Sequence, residues 1–221
     1  NTFAMSLLGI ATSMLPLFFA ILLNEIKCKW FKTMVQTLTT LPNFISWVII
    51  FSLAFSLFST DGLMTSVITK ITGAEQAQSV LSSKGSVYWF QTFLAQWKTL
   101  GWNSIIYLAA IAGIDQQQYE AAKVDGATKL QLIRHIDLPL IMPTATILLI
   151  MNCGSILSVG FEKAFLLQNN LNASVSEIIS TYVYKVGLIN NDMSYSSAIG
   201  LFNTIVNMVM IITVNTLSDK L

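Results

Sequence analysis

Of 221 residues, 54% are hydrophobic and only 10% charged, and mean hydropathy is +0.65. A soluble domain carries roughly 25% charged residues to keep its surface wetted, so a soluble enzyme of this size is disfavoured. A net charge of +1 gives no support to nucleic-acid binding.

A bilayer core takes about 20 apolar residues per helix, and five segments meet that length. In chain order they are residues 3–23, 41–60, 87–114, 140–161 and 195–218, of which 87–114 contains one charge, Lys98. The expectation is an all-α membrane protein with a single transmembrane domain over residues 1–221. Barrel strands need only about ten residues of alternating polarity, and these apolar runs are too long for that. The chain starts at Asn1 directly before an apolar run, without a basic leader. A missing N-terminal helix is therefore expected.

Charge orients the stack. Residues 24–40, 115–139 and the tail after Ser218 hold Lys27, Lys29, Lys32, Lys123, Lys129, Arg134 and Lys220. The opposite loops, 61–86 and 162–194, hold Lys70, Lys84, Lys163 and Lys185. The first set is expected to be cytoplasmic, so the chain starts outside and ends inside. In the second outer loop, Ile178, Tyr182 and Val186 recur at four-residue steps beside Ile179 and Val183. They predict a short amphipathic helix over 177–188, either at the interface or packed on the spans.

Cys28 and Cys153 have neither metal-ligand nor disulfide spacing, and no metal or cofactor site is expected. A G-x-x-x-x-G-K-[ST] phosphate loop is missing from the sequence, so the chain is not expected to hydrolyse ATP itself.

The inner loop 115–139 reads DQQQYEAAKVDGATKLQLIRHIDLP. Residues 116–125 lack Pro and Gly and favour helix. Gly126 supplies a stop, and Thr128 with Gln131 offers a capping box for a second helix. Leu130, Ile133 and Ile136 predict an apolar stripe on it, and Pro139 opens the following span. A helix, a glycine corner and a second one-faced helix suit docking into a groove of a soluble partner. An ordinary interfacial loop has the same local pattern.

Glu120-Ala121-Ala122, then Asp125-Gly126-Ala127, then Ile136-Asp137-Leu138-Pro139 resembles the "EAA loop" of permease subunits in binding-protein-dependent ABC importers. Residues 37–47, 96–114 and 195–215 are similar to sugar permeases, especially those of polysaccharide and oligosaccharide uptake. The resemblance implies the core of the type I importer permease fold (MetI-like). It also implies alternating access in a prokaryotic plasma membrane. Glu120, Ala121, Ala122, Asp125, Gly126, Ile136, Leu138 and Pro139 would form the coupling loop. The implied partners are a second permease subunit, identical or homologous, two ATP-binding subunits and an extracellular solute-binding protein.

Residues that touch cargo are sought among polar and aromatic groups in the spans. Lys98 is the only ionisable residue in the five segments apart from tyrosine and cysteine, and an intramembrane charge is a functional candidate by default. Counting back about 20 residues from Ile114 sets it near the outer end, where its stem snorkels to the surface or enters a cavity. Trp97 and Trp102 flank it as belt aromatics or as faces for sugar rings. Asn103, Asn152, Ser155, Asn203 and Asn207 are either cargo contacts or helix–helix glue. Glu162 with Lys163 reads as a gate or as a loop ion pair. Spans with so little charge favour a neutral solute. Peptide or amino-acid cargo, and a gradient-driven secondary transporter, are the alternatives.

Overall fold

The computed structural model describes residues 1–72, 81 and 83–218. Lys220, and residues 73–80 and 82 of the expected outer loop, lie outside the described residues. Among the described residues there is no strand. Among the described residues the helices make five passes through the fold.

The first pass is α1 (Thr2–Thr12) and α2 (Leu15–Asn24), separated at Ser13–Met14. Pro16 lies in the first turn of α2, where its missing N–H removes no intrahelical bond. The second pass is α3 (Lys29–Thr40), a 3-10 turn at Leu41–Phe44, and α4 (Trp47–Phe58), followed by α5 (Leu63–Thr72). The third is α6 (Val87–Ala112). The fourth begins with α7 (Gln116–Val124), α8 (Lys129–Leu132) and a π-turn at Ile133–Asp137, then rises through α9 (Leu138–Gly154). After α10 (Phe161–Leu167), α11 (Ala173–Ser176), α12 (Ile179–Tyr184) and a second π-turn at Lys185–Ile189 comes the fifth pass, α13 (Met193–Ser218).

Side-chain pairings fix the directions. Along α6 from its start, Tyr88 donates from its hydroxyl to Asn1 Oδ1 (2.7 Å) and Gln96 Nε2 donates to Thr12 Oγ1 (2.9 Å). Further on, Tyr107 and Ile111 pack with Leu17, Ala20 and Ile21. The first pass therefore runs parallel to α6. The second runs antiparallel, because Gly101 lies on the Thr39–Thr40 backbone, Leu94 packs with Ile50 and Ala54, and Phe90 meets Phe58 edge to face at 5.1 Å. α9 returns alongside α6 through Ile141 and Ala145. α13 descends against α9, with Ile211 on Gly154.

Among the described residues, four stretches are long and apolar enough to cross a membrane: Thr2–Asn24, Trp47–Val67, Lys129–Gly154 and Met193–Ser218. α6 has 26 residues but is too polar to join them, since it carries Gln91, Gln96, Lys98, Asn103 and Ser104. Its place explains this: one face, with Gln91, Gly101, Ser104, Tyr107 and Ile111, is buried against other passes, while Trp89, Phe93 and Ile106 on the other face are exposed. A helix face turned into protein need not match lipid.

Two boundaries and the placement of Lys98 differ from the sequence expectation. The segment expected over 41–60 does not begin a helix at residue 41. The second pass starts at Lys29, within what reads as a loop, and breaks at residues 41–46. The span expected over 140–161 ends at Gly154, where Ile211 occupies the space a side chain would need, and the chain leaves the helix before α10. Lys98 is the third case. It is the twelfth of the 26 residues of α6, near mid-height rather than at the outer end.

Lys98 does not snorkel. Its Nζ donates to the carbonyls of Pro42 (3.3 Å), Asn43 (2.9 Å) and Ile45, and lies 5.7 Å from the centre of the Trp47 ring. Irregular backbone at membrane depth is tolerated only where its polar groups find partners. The ammonium supplies them, helped by the negative end of α3. In Lys98→Met those carbonyls lose their donor, at about 1–3 kcal/mol per buried group left unsatisfied. A loss of about 3 kcal/mol is expected in denaturant titration of the detergent-solubilised protein. An unchanged midpoint would mean that the break is held by other contacts.

Candidate functional site

Two places on the fold collect the candidate residues. The first is the loop between the third and fourth passes. Asp115 caps α7, its carboxylate accepting from the Gln117 N–H at 3.0 Å. The helix ends where Gly126 takes φ +77°, a left-handed conformation that glycine adopts without a Cβ penalty. The turn closes with Gly126 N–H donating to Lys123 O (3.1 Å) and Ala127 N–H to Ala122 O (2.9 Å), so two end carbonyls of α7 are satisfied. At the restart, Gln131 Oε1 accepts from the Thr128 N–H (2.7 Å) and hydroxyl (2.8 Å). Pro139 sits in the first turn of α9.

The apolar stripe is split. Leu130 is 74% exposed, Ile136 is half-buried, and Ile133 packs on the core with Leu138. α8 lasts only four residues before the chain widens into the π-turn, and the wider turn breaks the helical period on which the stripe relied. Glu120, Ala121, Asp125, Gly126 and Pro139 are exposed, and Ala122 is half-buried. Val124, 88% exposed, joins Leu130 as bare apolar surface on this loop.

Two contacts tie the loop to the passes. The Tyr119 hydroxyl donates to Asp137 Oδ1, joining α7 to the foot of α9, with Asp137 buried. Burial first, then the hydrogen bond and negative charge of Asp137, push the Tyr119 phenol far above its ordinary value. Lys129 Nζ meets Glu25 Oε2 at 2.7 Å, joining α8 to the end of the first pass. Both partners are partly exposed, so this pair adds little stability; it fixes position. Between loop and first pass lies an open cleft of 580 Å³ lined by Glu25, Ile111, Tyr119, Lys123, Lys129 and Asp137, among others.

The second place is the gap opened where α9 ends at Gly154. A cleft of 210 Å³ between α1 and the 155–160 segment is lined by Ser6, Asn152, Ser155, Ser158, Gly160 and Lys163, with apolar neighbours. Ser6 Oγ donates to Ile156 O, tying the segment to the first pass. Of the expected path residues, Asn152 and Ser155 come together here. Asn203 lies in a different cleft, with Phe161, Val183 and Tyr184. Asn207 accepts from Leu157 N–H (3.3 Å) and donates to Ser158 Oγ (3.2 Å), holding the broken segment against α13. Trp97, Lys98, Trp102 and Asn103 are on α6, which does not line the 210 Å³ cleft. Trp102 is half exposed and meets Phe44 edge to face at 5.9 Å.

Sequence reasoning passed over Ser6 and Ser158. It read Lys163 with Glu162 as a loop pair or gate. Gly154 and Gly160, six residues apart in an apolar run, were the available sign of a break. The expected amphipathic helix over 177–188 is present as α12 continued directly by the π-turn at Lys185–Ile189. Ile178 just before it is buried with Met5, Val87 and Ala164, while Tyr182 is 41% exposed. It packs on the passes, with Ile179, Val183 and Val186 half-buried and Tyr182 the exposed member of the expected stripe.

Residues 12–221 match the model of the family described as binding-protein-dependent transport system inner membrane component. The chain belongs to this family. Among its relatives, protein LplB of Bacillus subtilis (strain 168) is 40% identical over 209 residues, 93% of this chain and 64% of its own length. The polygalacturonan/rhamnogalacturonan transport system permease protein YteP of the same organism is 41% identical over 224 residues, 100% of this chain and 68% of its own length. The chain thus spans about two thirds of the length of these curated relatives. A crystal structure of a bacterial ABC transporter involved in the import of the acidic polysaccharide alginate superposes with a TM-score of 0.95. It is 34% identical, over 100% of this chain and 77% of that one. The fold is therefore that of an ABC importer permease, and the inner membrane component family is a transport family rather than an enzyme family.

Proposed function

We propose that this chain is a membrane-spanning subunit of a binding-protein-dependent importer that moves a sugar or oligosaccharide by alternating access. Separate ATP-binding subunits dock on the loop from Gln116 to Pro139, and their closure is transmitted to the passes. The observation that carries this reading is the construction of the loop. Glu120, Ala121, Val124 and Leu130 face outward, while Tyr119–Asp137 and Lys129–Glu25 fasten its two helices to the fourth and first passes. A push on the loop moves two passes at once. Such motion is driven only if nucleotide and cargo bind the two states unequally.

The partners proposed are a second permease, two ATPase subunits and an extracellular solute-binding protein. The loop end faces the cytoplasm of a prokaryote, and Asn1 lies on the outer side; the excess of Lys and Arg on the loop side supports this. α6 is the fifth crossing, since it runs the height of the other four. Sugar cargo is supported by the amide and hydroxyl groups that Asn152 and Ser155 give the 210 Å³ cleft, and by the cargo named for relatives.

Co-purification of the full-length tagged protein from its native membrane, with mass spectrometry of what accompanies it, tests the reading. An ATPase, a second permease and a sugar-binding protein are the expected companions. A lone protein, stable in mild detergent and free of any ATPase, would overturn it in favour of a gradient-driven transporter.

A further inference from the structure

The 210 Å³ cleft contains one feature that an uncharged cargo does not use. Lys163, half-buried on α10, reaches into a cleft otherwise lined by hydroxyl and amide groups. Among the described residues no side chain bonds its ammonium: the two ion pairs are Lys129–Glu25 and Lys185–Glu177. Glu162, next to it in the chain, is exposed. The elements around α10 offer no compensating carboxylate. α1 and α4 have no ionisable side chain, α9 has only Cys153, and α12 has Tyr182 and Tyr184. α6 carries Tyr88, Tyr107 and Lys98, the last already bound at the break of the second pass. A desolvated cation without a partner is costly, and such charges near a membrane pathway mark sites of function.

We propose that Lys163 takes the carboxylate of an acidic sugar in this cleft, so that the cargo is an anionic, uronate-containing oligosaccharide rather than a neutral one. The inference rests on the sugar-import reading and sharpens it. The cleft suits a single sugar ring. Its hydroxyls and amides (Asn152, Ser155, Ser158) replace the water of the ring, and Lys163 replaces the counter-ion of its carboxylate. Burial holds the Lys163 ammonium down at about 8, still largely protonated at neutral pH. An arriving carboxylate favours the charged form and raises that value. Binding of the acid is therefore strong below pH 8 and declines as the pH rises above it, where the free lysine loses its proton. A neutral ring would leave the charge uncompensated.

The test uses the complete importer, with full-length subunits and its binding protein, in proteoliposomes. Uptake of a trigalacturonate is compared with uptake of its methyl ester, in which the carboxylates are masked. Lys163→Gln is expected to lower uptake of the acid about tenfold and to change uptake of the ester by less than about twofold, while Lys163→Arg keeps the acid. Because the binding protein is the same throughout, the change in the acid-to-ester ratio reports on the permease. If Lys163→Gln lowers both forms equally, or neither, the inference falls and sugar import stands. If the unaltered importer moves only the ester, the inference is likewise overturned. If it moves neither form but carries a neutral sugar, the inference falls and sugar import stands; if it carries only a solute that is not a sugar, both fall.

Discussion

In Gly126→Pro, ATP-driven uptake is expected to fall to background while the chain still inserts and the assembled complex still hydrolyses ATP. Proline fixes φ near −65°, whereas Gly126 sits at +77°. The substitution also removes the N–H that donates to Lys123 O. The corner between α7 and α8 then cannot form. Glu120 and Leu130 lose their relative placement, although the apolar passes on either side are untouched. Gly126→Ala separates shape from crowding. A Cβ there meets nothing within 4 Å, so the cost is only the backbone term of about 1 kcal/mol, and uptake should be reduced rather than lost. Uptake and ATP hydrolysis measured side by side in proteoliposomes decide the matter. Normal transport by the proline variant would remove this loop from the coupling path.

Gly101→Ala should destabilise the protein by about 3 kcal/mol, against what helix propensity alone predicts. Alanine is better than glycine inside a helix by about 1 kcal/mol, and Gly101 is well inside α6. Its missing side chain, however, is where the backbone of α3 passes. A Cβ would overlap the carbonyl of Thr39 and come 2.6 Å from Thr40 N. Backbone cannot swing aside as a side chain does, so α3 must move away from α6, and Lys98, one turn earlier, is dragged off its carbonyls. Gly200→Ala on α13 is the control. Nothing lies within 4 Å of that Cβ, and a neutral or slightly stabilising change is expected. Denaturant midpoints for the pair test the argument. Equal midpoints would show that α3 yields without cost.

These two glycines mark what a sequence discloses and what it withholds. The turn at Gly126 was legible because all of its signals are local. The glycine, Thr128 with Gln131, and Pro139 lie within a few residues of the atoms they serve. The first and last passes were legible because lipid imposes composition on them directly. Gly101 says nothing locally, since its reason lies at Thr39, some sixty residues away. The second pass was misjudged for the same cause. α3, with Lys29, Lys32 and Gln36, reads as a loop by hydropathy, yet it runs along α6, which is itself polar. The polar cleft was hidden similarly, because it forms where Ser6 meets the segment that follows Gly154, joining residues 150 positions apart. Lys163 looked like a loop residue until that segment folded beneath it.

The break in the second pass also bears on how the protein is made. The carbonyls of Pro42, Asn43 and Ile45 leave the ribosome more than fifty residues before the ammonium of Lys98 exists. During that interval α3 has two lysines and no apolar run with which to hold itself in a bilayer. Trp47–Val67 is long and apolar enough to cross by itself, so what waits for α6 is the seating of α3 and of the break that joins it to α4. The second pass is thus finished in two stages, its apolar half by composition and its polar half by the later contact with α6.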